Sequence, residues 1–580
     1  MRKLQVEELG QQAEQQLELN FFRRLERLAD VRRFVVTWII LLVLLGGVVV
    51  AQTRGLAGYY QTPEPVAGGT YNEGILGSFT NANPIYATSP VDTAVSKLVF
   101  SSLATYDTSG ALVGDLAMGW TLDKKETTYT VQLRPNVTWH DGKPLTASDV
   151  VFTYQLIQNA DTQSPLRTSW EGIQVSEVNP QTVTFKLPSP LVSFPYSLTN
   201  GIVPKHLLES AQPSALRTLL FNSTDAIGSG PFSLQAIEVH GGSAESREER
   251  IALKPFEDYY RGKPKLDQFV IHAFRSEQRL VDSFHDQQIN AISGLNDVPK
   301  QLADDGNVRV HNFPLTAEVM TFFRTTAGVL GDVNVRRSLV LATDKDAIIN
   351  ELSFPTQPIR SPILPGQVGY SKTRLQPSFD IQRAKELLFS KGWKTGDDGI
   401  RRKGNVALAF TLHAQDNSEY ARVAHMLQQQ WRAVGADVRV VLQSSSDFQT
   451  TLTLHGYDAL LYGIAIGKDS DVLVYWDSKH ADVLADNRLN FSEFDSKVAD
   501  ESLQAGRTRS NDALRAIKYR PFLDEWREQA PAVGLYQPRF LYVTRGPVYG
   551  LDEGAITGEV QRYANVNNWM IRQTGAPQIK

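Results

Sequence analysis

The chain has 580 residues, with 59 Lys and Arg against 63 Asp and Glu and a formal net charge of −4. That length exceeds one compact core and points to about two to four folding units, while the near balance of charge shows no basic bias toward nucleic acid and no acidic bias toward disorder. Cysteine is absent, which excludes disulfides, thiolate metal sites, cysteine nucleophiles and a lipid-modified N-terminal cysteine.

Residues 4–33 are rich in Gln, Glu, Leu and Arg, with Leu17, Phe21, Leu25 and Leu28 at helical spacing. This predicts a cytoplasmic amphipathic segment (1–33) at the membrane surface, or alternatively a helix docking a membrane partner. Phe34 to Ala51, FVVTWIILLVLLGGVVVA, carries no charge and gives about 27 Å of helix, enough to cross a hydrocarbon core. Arg23, Arg24, Arg27, Arg32 and Arg33 precede it and Arg54 follows, so the bulk of the chain is expected outside the cell membrane. Val49-Val50-Ala51 is an acceptable cleavage site, but the long preceding segment and long apolar run favour a retained transmembrane anchor over a signal peptide. Residues 52–67 have the Gly and Pro content of a linker.

From Thr70 onward strand-like and helix-like segments alternate. The stretch TYTVQLRPNVTWHDGKPLTASDVVFTYQLI, Thr128 to Ile157, reads as strand, Asp141-Gly142 turn, strand, Thr146/Asp149 cap and helix. Further strands are expected at Thr182–Leu187, Phe232–Val239 paired with Arg250–Lys254, Phe269–Ala273, Val406–Leu412 and Val438–Leu442. Helices are expected at Val91–Ser101, Val150–Asn159, Glu277–Gln287, Val333–Ala342, Ile381–Lys391, Tyr420–Val434 and Phe491–Ala505. Such mixing predicts an α/β protein with more than one sheet.

Catalytic and metal motifs are sparse. No H-E-x-x-H occurs and no two of the ten histidines lie three or four apart, although a dispersed metal site is left open. GSGPF at Gly228–Phe232 lacks the Gly-Lys-Ser/Thr of a phosphate loop, and no G-x-S-x-G elbow is present. Arg401-Arg402-Lys403 between Gly399 and Gly404 looks like a hairpin turn rather than a nucleic-acid patch.

Taken in order, the motifs resemble one family: the extracytoplasmic solute-binding proteins of family 5, the peptide/nickel type that serves ABC importers. WHDGKPLTASDVVFTY is the most specific match. NANPIYATS, GSGPFSL, DYYRGKPKLDQFVI, DVNVRRSLVLATDKDAII, SPILPG, RAKELL, YDALLYG and EQAPAVGLYQPRFLY follow in register, covering about Gly68 to Tyr563. The resemblance implies a two-lobe, type II periplasmic-binding-protein fold with an additional α/β domain. Lobe 1 would comprise 68–111, 228–318 and 535–580, the additional domain 112–227, and lobe 2 319–534. A peptide or other small solute would be enclosed by hinge closure and delivered to an ABC permease, with no enzyme activity and no cofactor.

Two departures stand out. Peptide binders of the family carry Gly-Trp-x-x-Asp after this segment, the Asp pairing with the peptide's α-ammonium. Here the sequence is GIAIGKDSD, so Ile464 replaces Trp, Gly467 stands at the Asp position, and Asp469 substitutes only if the loop shifts by two residues. The other departure is the protein anchor. The cleft is expected to be lined by Asn81 and Asn83, Ser293 and Asn296, Ile464, Ala465, Ile466, Gly467 and Asp469, and Tyr536, with truncation of Ile464 and Tyr536 expected to spare folding. The alternative function is a ligand sensor that signals through the cytoplasmic helix.

Overall fold

The computed structural model describes residues 23–60, 64–107, 110–243, 247–352, 354, 356–485 and 487–573. The chain divides into two compact units, Met1–Val66 with Gln573–Lys580, and Ala67–Arg572. In the first, helix α1 (Arg23–Tyr60) contains an apolar span, Phe34–Gln52, of mean hydropathy 2.9 with none of it buried. The helix continues through residues 52–60, where Gly and Pro content had suggested linker; Gly55 and Gly58 lower helix propensity without removing a hydrogen bond. The amphipathic pattern before Arg23 lies outside the described residues.

The second unit opens with β1 (Thr70–Leu76) and α2 (Pro90–Val99). Next come β2 (Ala117–Leu122), β3 (Thr128–Leu133), α3 (Ala147–Gln158), β4 (Gln174–Asn179) and β5 (Thr182–Lys186). Strands β6 (Phe232–His240), β7 (Glu248–Pro255), β8 (Gln268–Phe274), β9 (Ala291–Ser293) and β10 (Val308–Pro314) lead to β11 (Ala317–Phe323). Then follow α4 (Ile381–Ser390), β12 (Ala409–Gln415), α5 (Ser418–Arg432), β13 (Asp437–Gln443) and β14 (Ala459–Ala465). Helices α6 (Lys497–Arg507) and α7 (Asp512–Gln529) precede β15 (Ala532–Tyr536) and β16 (Arg539–Arg545).

Three sheets organise these elements. A seven-stranded mixed sheet runs β10-β16-β9-β1-β8-β7-β6, a five-stranded sheet β13-β12-β14-β11-β15, and a four-stranded antiparallel sheet β2-β3-β5-β4. Strand β8 is buried at six consecutive residues, Phe269 to Phe274, as expected of a strand covered on both faces. The chain passes from the seven-stranded to the five-stranded sheet between Pro314 and Ala317, and returns between Tyr536 and Arg539.

The WHDG corner is architecture. Thr146 and Asp149 form a capping box at α3, and Gly142 takes φ +83° in the turn. Trp139 is fully buried, and Asp141 pairs with His206 at 2.8 Å. The His140 ring accepts the Gly228 N–H at Nδ1 (3.2 Å) and bonds the Gly230 carbonyl through Nε2 (3.1 Å). A Cβ on Gly228 would lie 1.9 Å from the Val99 carbonyl oxygen, so the GSGPF turn serves close packing on α2.

Several expectations are corrected. Helix α6 begins at Lys497, not Phe491, because the Ser496 side chain caps it by accepting the Ala499 N–H, while Phe491 and Phe494 fill the core. Val406–Leu412 is broken: Val406–Ala407 pairs with the strand Arg401–Lys403 and only Ala409 onward joins the main sheet. Arg401-Arg402-Lys403 is therefore strand rather than turn. Strand β13 is a half-buried edge. Helix α7 went unrecognised because it contains Pro521. Ser502 of α6 heals the break, accepting the Phe522 N–H (3.0 Å) and donating to the Lys518 carbonyl (2.5 Å), a side chain inserted into the helical ladder.

Candidate functional site

Strand β14 sits between β12 and β11, but β12 pairs with it only through Ala459 and Leu460. Over Leu461–Ala465 a strand flanks β14 on the β11 side alone, with Glu318 opposite Ile464 and Ala317 opposite Ala465. A strand residue sends its N–H and C=O to the same side. Tyr475 Oη donates to the Ala465 carbonyl at 2.8 Å, and the Gly463 N–H meets the Tyr420 phenol. The edge not covered by a strand therefore belongs to Leu461, Gly463 and Ala465.

Beyond β14 the chain turns tightly. The Thr316 carbonyl accepts both the Ile466 and Gly467 N–H groups at 3.1 Å, Gln367 Nε2 donates to the Gly467 carbonyl at 2.7 Å, and Gly467 has φ +68°. Each charge that follows meets a protein partner. Lys468 reaches the loop at Gly110, where an added Cβ would lie 2.5 Å from its Nζ; burial lowers its pKa and Asp107 opposes that. Asp469 is bonded by Arg515 at 2.6 Å, with side chains 11% and 3% exposed. Asp471 pairs with Arg507 at 3.0 Å and accepts from Ser193 Oγ at 3.0 Å, while the Val192 N–H donates to the Arg507 carbonyl at 3.2 Å. Ser193 and Val192 follow β5, so this contact ties the four-stranded-sheet region to the half built on the five-stranded sheet.

The expected cleft residues separate into groups. Ile464 to Asp469 lie together, and Tyr536 flanks β11 from its other side, opposite Val319. Ala465 is exposed, but Ile464 is 2% and Ile466 7% exposed in an apolar cluster with Met320, Phe322 and Trp476. Tyr536 is fully buried and donates to Glu419 Oε1 at 2.6 Å. Truncating Ile464 or Tyr536 thus removes core, at about 2–5 kcal/mol, correcting the expectation that folding would be spared. Asn81 Oδ1 accepts the Asn83 N–H at 2.8 Å, and Asn83 Nδ2 donates to Asn222 at 3.0 Å, so both shape their own loop. Asn296 is exposed. Ser293 is fully buried, 3.5 Å from Arg562 Nη2. Arg562 bonds Glu73 at 2.6 Å, and Tyr542 donates to Glu73 at 2.9 Å, in a sealed network.

Sequence reasoning missed Arg515, Arg507, Ser193 and Glu318. The partners of Asp469 and Asp471 lie 46, 36 and 278 residues away, beyond any local spacing signal. Glu318 is fully buried with no partner for either carboxyl oxygen; burial holds its pKa well above the usual carboxylate range, favouring the neutral acid. A cavity of about 690 Å³ lined by Arg337, Leu341, Pro377, Arg383, Leu387 and Arg527 involves none of the expected site residues. Among the described residues, no group of three or more His, Asp and Glu is arranged to hold a metal ion.

Two α/β lobes joined by two crossings, with a further domain packed beside them, define a type II periplasmic-binding-protein fold. The match to the family described as bacterial extracellular solute-binding proteins, family 5, extends over residues 111–482. The chain belongs to that family. It is similar to the oligopeptide-binding protein AppA of Bacillus subtilis, 25% identical over 485 residues, 82% of this chain and 87% of that one. Among solved structures it is similar to NikZ from Campylobacter jejuni in complex with Ni(L-His), at 26% identity and TM-score 0.72, covering 87% of this chain and 99% of that one. The fold also matches AppA from Bacillus subtilis in complex with a nonapeptide, at 23% identity and TM-score 0.71, covering 88% and 100%.

Proposed function

We propose that the protein is the membrane-anchored, extracytoplasmic substrate-binding component of an ABC importer, enclosing an oligopeptide-like solute between two lobes and delivering it to a permease. In this reading lobe 1 comprises 68–111, 228–318 and 535–580, lobe 2 comprises 319–534, and 112–227 is the additional domain. The apolar span within α1 is the anchor. The observation that carries the reading is the β14 edge at Leu461–Ala465, which carries no strand partner on one side and suits an extended backbone adding as a further strand. The similarity to the oligopeptide-binding protein AppA of Bacillus subtilis supports a peptide. Asn81, Asn83, Ser293, Asn296, Ile464 to Gly467 and Asp469 frame the cleft, several of them by shaping its loops rather than by contact. Tyr536 frames it in the same way.

The test is peptide titration of the full-length chain in detergent micelles. Ala465→Pro, at an exposed position, removes a backbone donor from the edge without a strand partner and is expected to reduce affinity by about tenfold or more. Backbone N-methylation of the peptide is expected to do the same. Unchanged affinity in both would remove strand addition as the binding mode.

A further inference from the structure

The two crossings between lobes border a cavity of about 370 Å³. Asn312 of β10 and Arg539 of β16 line it from one side, Thr356 and Gln357 from the other, and Gln537 from the return crossing. Most polar groups here are already paired. Gln537 Nε2 donates to the Leu315 carbonyl at 2.7 Å, Gln357 Nε2 to Gln537 Oε1 at 2.6 Å, and Thr356 Oγ1 to the Gln537 carbonyl.

Arg539 differs. Its Nη1 donates to Asn312 Oδ1, and its guanidinium lies 4.1 Å over the Phe354 ring, but Nε and Nη2 are closed off from solvent without an acceptor. Those two nitrogens form one side of the guanidinium fork, the geometry that takes both oxygens of a carboxylate. Buried donors left unmade are costly, so this edge is unsatisfied in the fold itself. Burial pulls the guanidinium down to about 10, and the carboxylates of Glu419 and Asp297 act against that. Glu419 is engaged by Tyr536, and no hydrogen bond joins either carboxylate to Arg539. Arg539 itself lines the cavity.

We propose that this hinge cavity is the subsite for a carboxylate of the solute, with Arg539 as its bidentate partner and the side-chain amides of Gln357 and Gln537 beside it. The inference rests on the solute-binding reading and narrows it to solutes with a free carboxylate. Asp469, the acid after the β14 turn, is held by Arg515 and offers no free partner to an α-ammonium.

The test uses the full-length chain in detergent micelles with tetra-alanine as the free acid, its C-terminal amide and its N-acetyl form. The free acid is expected to bind about tenfold or more tightly than the amide, N-acetylation to change affinity by less than about twofold, and Arg539→Met to erase the acid preference while Arg539→Lys keeps part of it. Equal binding of acid and amide, or a preference that survives in Arg539→Met, overturns the subsite while leaving the peptide reading standing. If no tetrapeptide binds, succinate against succinamide decides. A rise in Tm with succinate in wild type and not in the variant supports the subsite although the peptide reading has failed; no rise overturns it. Should Arg539→Met fail to fold, Arg539→Gln carries the comparison.

Discussion

The Asp469 carboxylate and the Arg515 guanidinium face each other at 2.6 Å, with only 3% of the arginine side chain exposed. Asp469 follows the tight turn after β14, and its charge is neutralised from within the chain. Removing one member of a buried pair costs about 3–5 kcal/mol, whereas replacing both costs far less. Asp469→Ala is therefore expected to lower unfolding free energy by about 3 kcal/mol, and adding Arg515→Met to restore most of it. Denaturant unfolding of the single and double variants checks this.

Ser193 and Asp471 link the region after β5 to the half built on the five-stranded sheet at 3.0 Å, beside the Asp471–Arg507 pair. In the proposed hinge-closing reading, these contacts join regions that separate on opening. Ser193→Ala removes one hydrogen bond to a charged group, worth about 1.5–3 kcal/mol, and is expected to raise the open population. Small-angle scattering should show a larger radius of gyration than wild type without solute, with thermal stability nearly unchanged.

His140 predicts a pH dependence. Burial lowers its pKa from 6.5 to about 4, so the unfolded chain takes up the proton first. Its contribution is fully present above 6.5 and is lost as pH falls toward about 4, a difference of about 3 kcal/mol. Thermal unfolding at pH 7 and pH 4.5 is expected to show a smaller drop in His140→Asn than in wild type, even though the variant is less stable at pH 7.

The fold was legible where local chemistry sufficed. The Asp141-Gly142 turn, the Thr146/Asp149 cap and the β6–β7 hairpin follow from short-range rules, and family resemblance supplied the lobes. Helix α7 was hidden because Pro521 is tolerated only through Ser502, on a different helix. The site was less legible for the same kind of reason. Nothing near Asp469 in sequence announces Arg515, and nothing near Arg539 announces its neighbours from Thr356 and Gln357. Nothing near Ile464 or Tyr536 in sequence shows that their side chains pack into apolar clusters, so that any part they take in the cleft is by framing it.

Native mass spectrometry of the full-length protein, extracted in mild detergent and offered a mixture of short peptides, distinguishes a peptide receptor from other solute binders. One peptide is expected to be retained per chain, released on denaturation and lost in Ala465→Pro. Retention of a metal chelate or sugar in its place, with peptides passing through unbound, would contradict the peptide reading.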